Sequence, residues 1–171
     1  DLLIVGCGPA GLSCALEASR KDYHYVVLEK DGIGGTVLSY PRKKLVMTEP
    51  VALTDTIKME KRDFVKEELL DIWKRMVDES RLTIREHEIV LSVDRTAAGG
   101  FEIKSNKGSY KARRVVLAIG RRGIPRKLDI EGETVPNVFY SLQDASLFAG
   151  DSVTVVGGGD SAVEAAVSLS E

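Results

Sequence analysis

Apolar residues follow three rhythms along the chain. Residues 1–5, 25–28, 115–119 and 153–156 are short apolar runs, the pattern of strands buried on both faces of a parallel sheet. Residues 12–20 read as a helix after the first of them, and residues 163–169 as the start of a helix after the last. Between residues 64 and 79 the spacing is also helical: Phe64, Val65, Leu69, Ile72, Trp73, Met76 and Val77 share one face, and Lys66, Glu67, Glu68, Asp71, Lys74 and Arg75 the other. Asp63 is the expected N-cap, and Trp73, on the apolar stripe, is expected in the core. From residue 82 the period changes to two. Residues 82–85, 89–93, 101–105 and 109–112 read as short strands with turns at 97–100 and 106–108, a small antiparallel insert within an α/β unit.

What lies between the apolar runs and their helices sharpens this picture. The first strand runs into Gly6, Cys7, Gly8, Pro9, Ala10 and Gly11, a G-x-G-x-x-G turn, and a helix follows. In such a turn the first glycine permits the tight bend, the second lets backbone approach a pyrophosphate, and the third lets helix and strand pack closely. Free amides at the helix start hold the anion. The second strand ends on Glu29, 18 residues beyond Gly11, where a carboxylate can accept hydrogen bonds from both hydroxyls of an adenosine ribose and disfavours a phosphorylated one. The pattern returns near the other end. Val153 to Val156 lead into Gly157, Gly158, Gly159, Asp160, Ser161 and Ala162, a G-x-G-x-x-A turn. Two such corners about 150 residues apart are far more specific than either alone.

The remaining stretches read as connections. Lys30 to Ser39, with Gly32, Gly34 and Gly35, and then Pro41, Arg42, Lys43 and Lys44, have loop composition; the basic triplet is expected to be a solvated face rather than a phosphate clamp. The third apolar run ends at Gly120, where small residues let backbone lie against a ligand. Residues 121–125 look like a linker, so residues 1–123 are read as one domain and 124–171 as the beginning of another. His87, between Glu86 and Glu88, is expected at the surface.

Composition adds limits. A net charge of −2 gives no sign of a nucleic-acid-binding patch, and no apolar run is long enough to span a membrane. No export signal is visible at the start and the chain lacks an initiator Met, so a piece of a longer, cytoplasmic protein is expected. Cys7 and Cys14, two cysteines in one short stretch, build no disulfide framework and read as small buried residues of a protein in a reducing compartment. No metal site is expected.

The GCGPAG turn, Glu29, the Gly34-Gly35-Thr36 loop, the Ala118-Ile119-Gly120 strand end and the VVGGGDSAVEAA stretch together resemble the two-dinucleotide-binding-domain flavoproteins of the pyridine nucleotide-disulfide oxidoreductase superfamily, and within them the thioredoxin-reductase-like group. The resemblance implies a Rossmann-like FAD-binding domain with a parallel sheet and a small antiparallel insert, followed by the start of a second Rossmann-like, NAD(P)-binding domain. It implies that Gly6, Gly8, Pro9, Ala10 and Gly11 hold the FAD pyrophosphate, that Glu29, with Lys30 beside it, holds the adenosine ribose, and that Gly35 and Thr36 lie near the flavin. Backbone around Ile89 would touch the adenine, and Ala118, Ile119 and Gly120 would line the site. Gly157, Gly159, Asp160, Ser161 and Ala162 would hold the pyrophosphate of NADH or NADPH.

Departures from the resembled families bear on the chemistry. Val37 and Arg42 stand where glutathione-reductase-type members carry their redox cysteines, and residues 137–150 lack the C-x-x-C of thioredoxin reductases. Ala10 stands where bacillithiol-disulfide-reductase-like members carry a cysteine. The expected function is therefore an FAD-dependent NAD(P)H oxidoreductase passing electrons to an external acceptor such as ferredoxin, a quinone, oxygen or a small molecule. No catalytic acid or base is identified. Two alternatives remain at this stage: a flavin monooxygenase, whose F-x-G-x-x-x-H motif is not found, and a non-catalytic flavin-binding sensor or scaffold. Relatives are often dimers, so a homodimer is the assembly the resemblance carries.

Overall fold

A computed structural model describes residues 1–121, 125 and 127–170. Strand β1 (Leu2–Val5) leads into helix α1 (Pro9–Arg20), which returns the chain to β2 (Tyr25–Leu28). A 3-10 turn at Gly35–Val37 follows. Two antiparallel ribbons come next, formed by β3 (Leu45–Met47), β4 (Val51–Ala52), β5 (Lys58–Met59) and β6 (Asp63–Val65): β3 pairs with β6 and β4 with β5. Helix α2 (Lys66–Glu79) precedes β7 (Ile84–Arg85). Strands β8 (Val90–Arg95), β9 (Phe101–Ser105) and β10 (Ser109–Ala112) then form a meander, and β11 (Arg114–Leu117) closes the unit. A second 3-10 turn, Ala145–Phe148, and helix α3 (Asp160–Ser170) complete the described chain.

The central sheet is parallel, in the order β11-β1-β2-β7. Each face has its own cover, which is why the central strands β1 and β2 read as unbroken apolar runs. Ile4 and Val27 face α1 and α2, where Leu12, Leu16, Leu69, Trp73 and Met76 pack with them in the larger core. Leu3 and Leu28 face the meander, where Ile103 is buried among Val93, Phe101 and Tyr110. The α/β fold and its antiparallel insert are thus as expected, and Trp73, 6% exposed, is a core residue.

Several local expectations are corrected. Asp63 does not cap α2: it lies in β6 opposite Met47, and α2 starts three residues later with Val65 at its N-cap. Pairing with β3 holds residues 63–65 extended, so the helix begins only where that ladder stops. The segment 82–85 is not part of the insert; its strand, β7, is the edge of the parallel sheet beside β2. Helices α1 and α3 begin at Pro9 and Asp160, inside their glycine turns, earlier than the apolar spacing marks. Residues 153–156, expected as a strand, form none. Residues 122–124, within the expected linker and at the expected domain boundary, lie outside the described residues. Among the described residues no helix is long and apolar enough to cross a membrane.

Candidate dinucleotide site

Strand order places the site. β2 and β7 lie to one side of β1, and β11 lies to the other, so the chain changes direction between β1 and β11. In open parallel sheets a crevice forms at the carboxyl ends of the strands at such a point. Gly6 leaves β1 there with φ +100°, donating its N–H to the Leu28 carbonyl at 2.8 Å. A Cβ on Gly6 would stand 2.5 Å from the Ala118 carbonyl oxygen, and one on Gly11 only 1.9 Å from the carbonyl oxygen of Gly6. A Cβ on Gly8 would meet nothing within 4 Å.

This contrast separates the three glycines. Gly6 and Gly11 are glycines because protein fills the space beside them; Gly8 faces open space, so its missing side chain leaves room for something else. Gly8 is also the N-cap of α1, no side chain caps that end, and Pro9 occupies the first turn. Backbone amides at an uncapped helix start are a ready seat for an anion. Gly35, with φ +54°, packs against the same turn: its Cβ position lies 3.0 Å from the Gly8 Cα, and Gly34 donates its N–H to the Cys7 carbonyl at 3.0 Å. The Gly34-Gly35-Thr36 loop therefore rests on the first glycine turn. Ala118, whose N–H donates to the Val5 carbonyl at 2.8 Å, forms the opposite wall, with Ile119 exposed and Gly120 open beyond it.

Glu29 is 4% exposed and is tied to the turn itself. One carboxylate oxygen accepts the Cys7 N–H at 2.6 Å and the other accepts the Asp31 N–H at 2.9 Å. A carboxylate has about four acceptor positions, so each oxygen keeps one for a ligand hydroxyl. Lys30 is exposed and reaches Asp31 at 3.7 Å. Ile89 is 46% exposed, and its N–H and carbonyl are engaged with Asn106, at 2.9 and 3.0 Å. Its exposed part is the side chain.

The second turn shares part of that geometry without a strand before it. Gly157 has φ +138° and a Cβ position 3.3 Å from that of Ala162, while a Cβ on Gly159 would meet nothing within 4 Å. The Gly159 carbonyl accepts the N–H groups of Ala162 and Val163, opening α3 with Asp160 and Ser161 in its first turn. The basic triplet is engaged within the chain: Arg42 pairs with Asp144 at 2.9 Å and Lys44 with Glu164, while the Lys43 N–H donates to Glu67. The Asp144 carboxyl is held down at about 2 by its bonds from Ser146 and Arg42.

Cys7 is fully buried and Cys14 half-buried. Burial first, and then the charge of Glu29, push the Cys7 thiol up to about 12, and burial also raises Cys14. Neither is poised as a thiolate. In the folded protein at pH 8, iodoacetamide is expected to leave Cys7 unmodified until denaturant is added, as peptide mass mapping would show; alkylation at the rate of a free thiol would contradict the burial described here.

Residues 3–171 match the model of the family described as pyridine nucleotide-disulphide oxidoreductase. The chain belongs to that family. Its members are FAD- and NAD(P)H-dependent oxidoreductases, the cofactor pair the two glycine corners imply. The chain is 33% identical to a ferredoxin–NADP reductase of Ignicoccus hospitalis, an alignment covering 100% of the chain and 53% of that protein. Among solved structures it resembles the bacillithiol disulfide reductase of Staphylococcus aureus, with a TM-score of 0.85, 27% identity and 99% of the chain covered against 53% of that one. It also resembles a thioredoxin reductase of T. acidophilum, with a TM-score of 0.56, 28% identity and 78% of the chain covered against 38% of that one. The chain spans about half the length of the curated relatives it matches.

Residues missed by sequence reasoning lie on the meander side. Asn106, read as part of a turn, holds both backbone groups of Ile89. Glu88, for which the sequence suggested no role, is 2% exposed, whereas its neighbour His87 is exposed as expected. No periodic signal marks either one, since their partners come from a different strand.

Proposed function

We propose that residues 1–123 bind FAD and residues 124–171 belong to a nicotinamide-binding unit, in an FAD-dependent NAD(P)H oxidoreductase that passes electrons to an external acceptor. The observation that carries this reading is the pairing of a closed Gly6 and Gly11 with an open Gly8 at the crevice, next to a carboxylate anchored on the same turn. A pyrophosphate fits the open side of Gly8 and the amides at the start of α1, and the adenosine ribose fits the two acceptor positions left on Glu29. Ile89 would cover the adenine through its side chain, and Gly35, Thr36 and Ala118 to Gly120 would line the flavin side. Gly157, Gly159, Asp160, Ser161 and Ala162 would take the second pyrophosphate.

Bound FAD would supply the hydride-accepting and electron-donating chemistry. The chain's own part is to seat the diphosphate, fix the ribose and exclude water from the crevice. An external acceptor is favoured by what the thiols are: Cys7 and Cys14 are the chain's two cysteines, and neither is ionised enough to relay electrons. Ferredoxin is the acceptor named for the relative at 33% identity, and it is the first to test. A cytoplasmic homodimer belongs to the same proposal.

The full-length protein, mixed anaerobically with NADH and with NADPH, is expected to lose its oxidised-flavin absorbance with at least one of them. Reoxidation by ferredoxin, a quinone, oxygen or a disulfide then identifies the acceptor. A flavin that stays oxidised with both nucleotides overturns the oxidoreductase reading in favour of a sensor, and consumption of NADPH that depends on an organic substrate and yields a hydroxylated product overturns it in favour of a monooxygenase.

A further inference from the structure

A buried carboxylate needs strong partners, and those of Glu88 come from the meander. One of its oxygens accepts the Ser105 hydroxyl at 2.5 Å and the Tyr110 hydroxyl at 2.6 Å. The Tyr110 oxygen accepts in turn from the Arg85 guanidinium at 2.6 Å. Burial by itself would raise the Glu88 carboxyl, but the bonds from Ser105 and Tyr110, with the charges of Arg85 and Lys107, hold it below the usual carboxylate range. The group is therefore a fixed anion.

Arg85 and Glu88 are also the two ends of the corner that grips the tip of β2. The Glu29 N–H donates to the Arg85 carbonyl at 2.9 Å, and the Glu29 carbonyl accepts the Glu88 N–H at 2.8 Å. His87 donates to the Asp31 carbonyl at 3.2 Å, and the Glu86 carboxylate accepts the Ile33 N–H at 2.8 Å. Both backbone groups of Glu29 are thus held by residues whose side chains are anchored on Tyr110 and Ser105. A ligand-binding group performs only if such a supporting layer keeps it within about 0.5 Å of its working position.

We propose that Tyr110 and Glu88 are positioning residues for the adenosine end of the dinucleotide site: the meander braces the Arg85-to-Glu88 corner, and that corner sets where the Glu29 carboxylate stands. This rests on the reading of Glu29 as the ribose acid. It gives the antiparallel insert a task beyond covering Leu3 and Leu28, since Tyr110 and Glu88 act on the binding crevice through this corner rather than by contact with the ligand.

A double-mutant cycle in the full-length protein tests it, with the Kd of the apoprotein for FAD and for ADP as readouts. Tyr110→Phe is expected to weaken both ligands equally, by about tenfold, the size of one hydrogen bond to a charged group. Ser105→Ala, which removes the other hydroxyl on Glu88, is expected to weaken both ligands as well. In a Glu29→Gln background the Tyr110→Phe substitution is expected to cost nothing further, because the group it positions is gone. If Glu29→Gln leaves FAD binding unchanged, the reading of Glu29 fails and the brace with it. If Glu29→Gln weakens FAD but Tyr110→Phe does not, or if the two losses simply add, Glu29 keeps its role and the brace is overturned.

Discussion

Gly11→Ala is expected to yield a protein that neither retains FAD nor keeps its stability, whereas Gly8→Ala loses the cofactor alone. The difference follows from what stands beside each glycine. A methyl at position 11 would lie 1.9 Å from the Gly6 carbonyl oxygen, so α1 must move off β1 or the turn must open. Overpacking against backbone costs about 3 kcal/mol or more when nothing can yield, and the displaced turn is the one that carries the α1 amides. At position 8 the backbone has φ −77° and ψ −173°, which alanine adopts freely, and the methyl would meet no protein atom within 4 Å. Its cost to folding is limited to a poorer N-cap, at most about 1 kcal/mol.

That methyl does occupy the space assigned to the pyrophosphate. Forcing it against a seated ligand costs about 1–3 kcal/mol, which is roughly a ten- to hundredfold rise in the Kd for FAD. Denaturant midpoints and flavin titrations of the two full-length variants separate the cases. Normal FAD affinity in Gly8→Ala would mean that the open side of the turn is not the diphosphate seat. Wild-type stability in Gly11→Ala would mean that helix and strand are not packed as described.

How much of this could be read from residue order depends on the range of the forces involved. The strands β1, β2 and β11 were legible because burial on both faces leaves a continuous apolar run, and the two glycine corners were legible because their spacing is local. The edge strand β7 was not, since a sheet edge and a meander strand present the same alternation, and only the pairing of Ile84 with Val27 separates them. Asp63 has the right side chain for a cap, but its pairing with Met47, 16 positions earlier, decides its conformation. Glu88 looks like its charged neighbour Glu86, and only Ser105 and Tyr110, brought over from the meander, make it a buried anion. The same holds for the second role of Glu29. Its position at the end of β2 announces a ribose acid, while its grip on the Cys7 N–H exists only once β1 and β2 are side by side.

That grip makes Glu29→Gln the second large loss expected. The two oxygens of the carboxylate face two backbone donors, Cys7 at 2.6 Å and Asp31 at 2.9 Å. An amide of the same shape has one oxygen and one NH2 group, so one of those N–H groups must face another donor. Cys7 is fully buried, so the amide oxygen stays on its N–H and the NH2 group meets the Asp31 N–H, which loses its acceptor at a cost of about 1–3 kcal/mol. The apoprotein is therefore expected to lose stability before any cofactor is considered. Binding suffers separately, because a charge-assisted acceptor for the ribose is replaced by a neutral group and the contact that orients the Cys7-Gly8 peptide loses its charge; the expected rise in the Kd for FAD is at least about tenfold. Glu29→Asp should restore neither, because the shorter side chain cannot reach both donors from the end of β2. A Glu29→Gln protein as stable as the parent would show that the carboxylate does not hold the turn, and one that binds FAD and ADP with parental affinity would show that the ribose is held elsewhere.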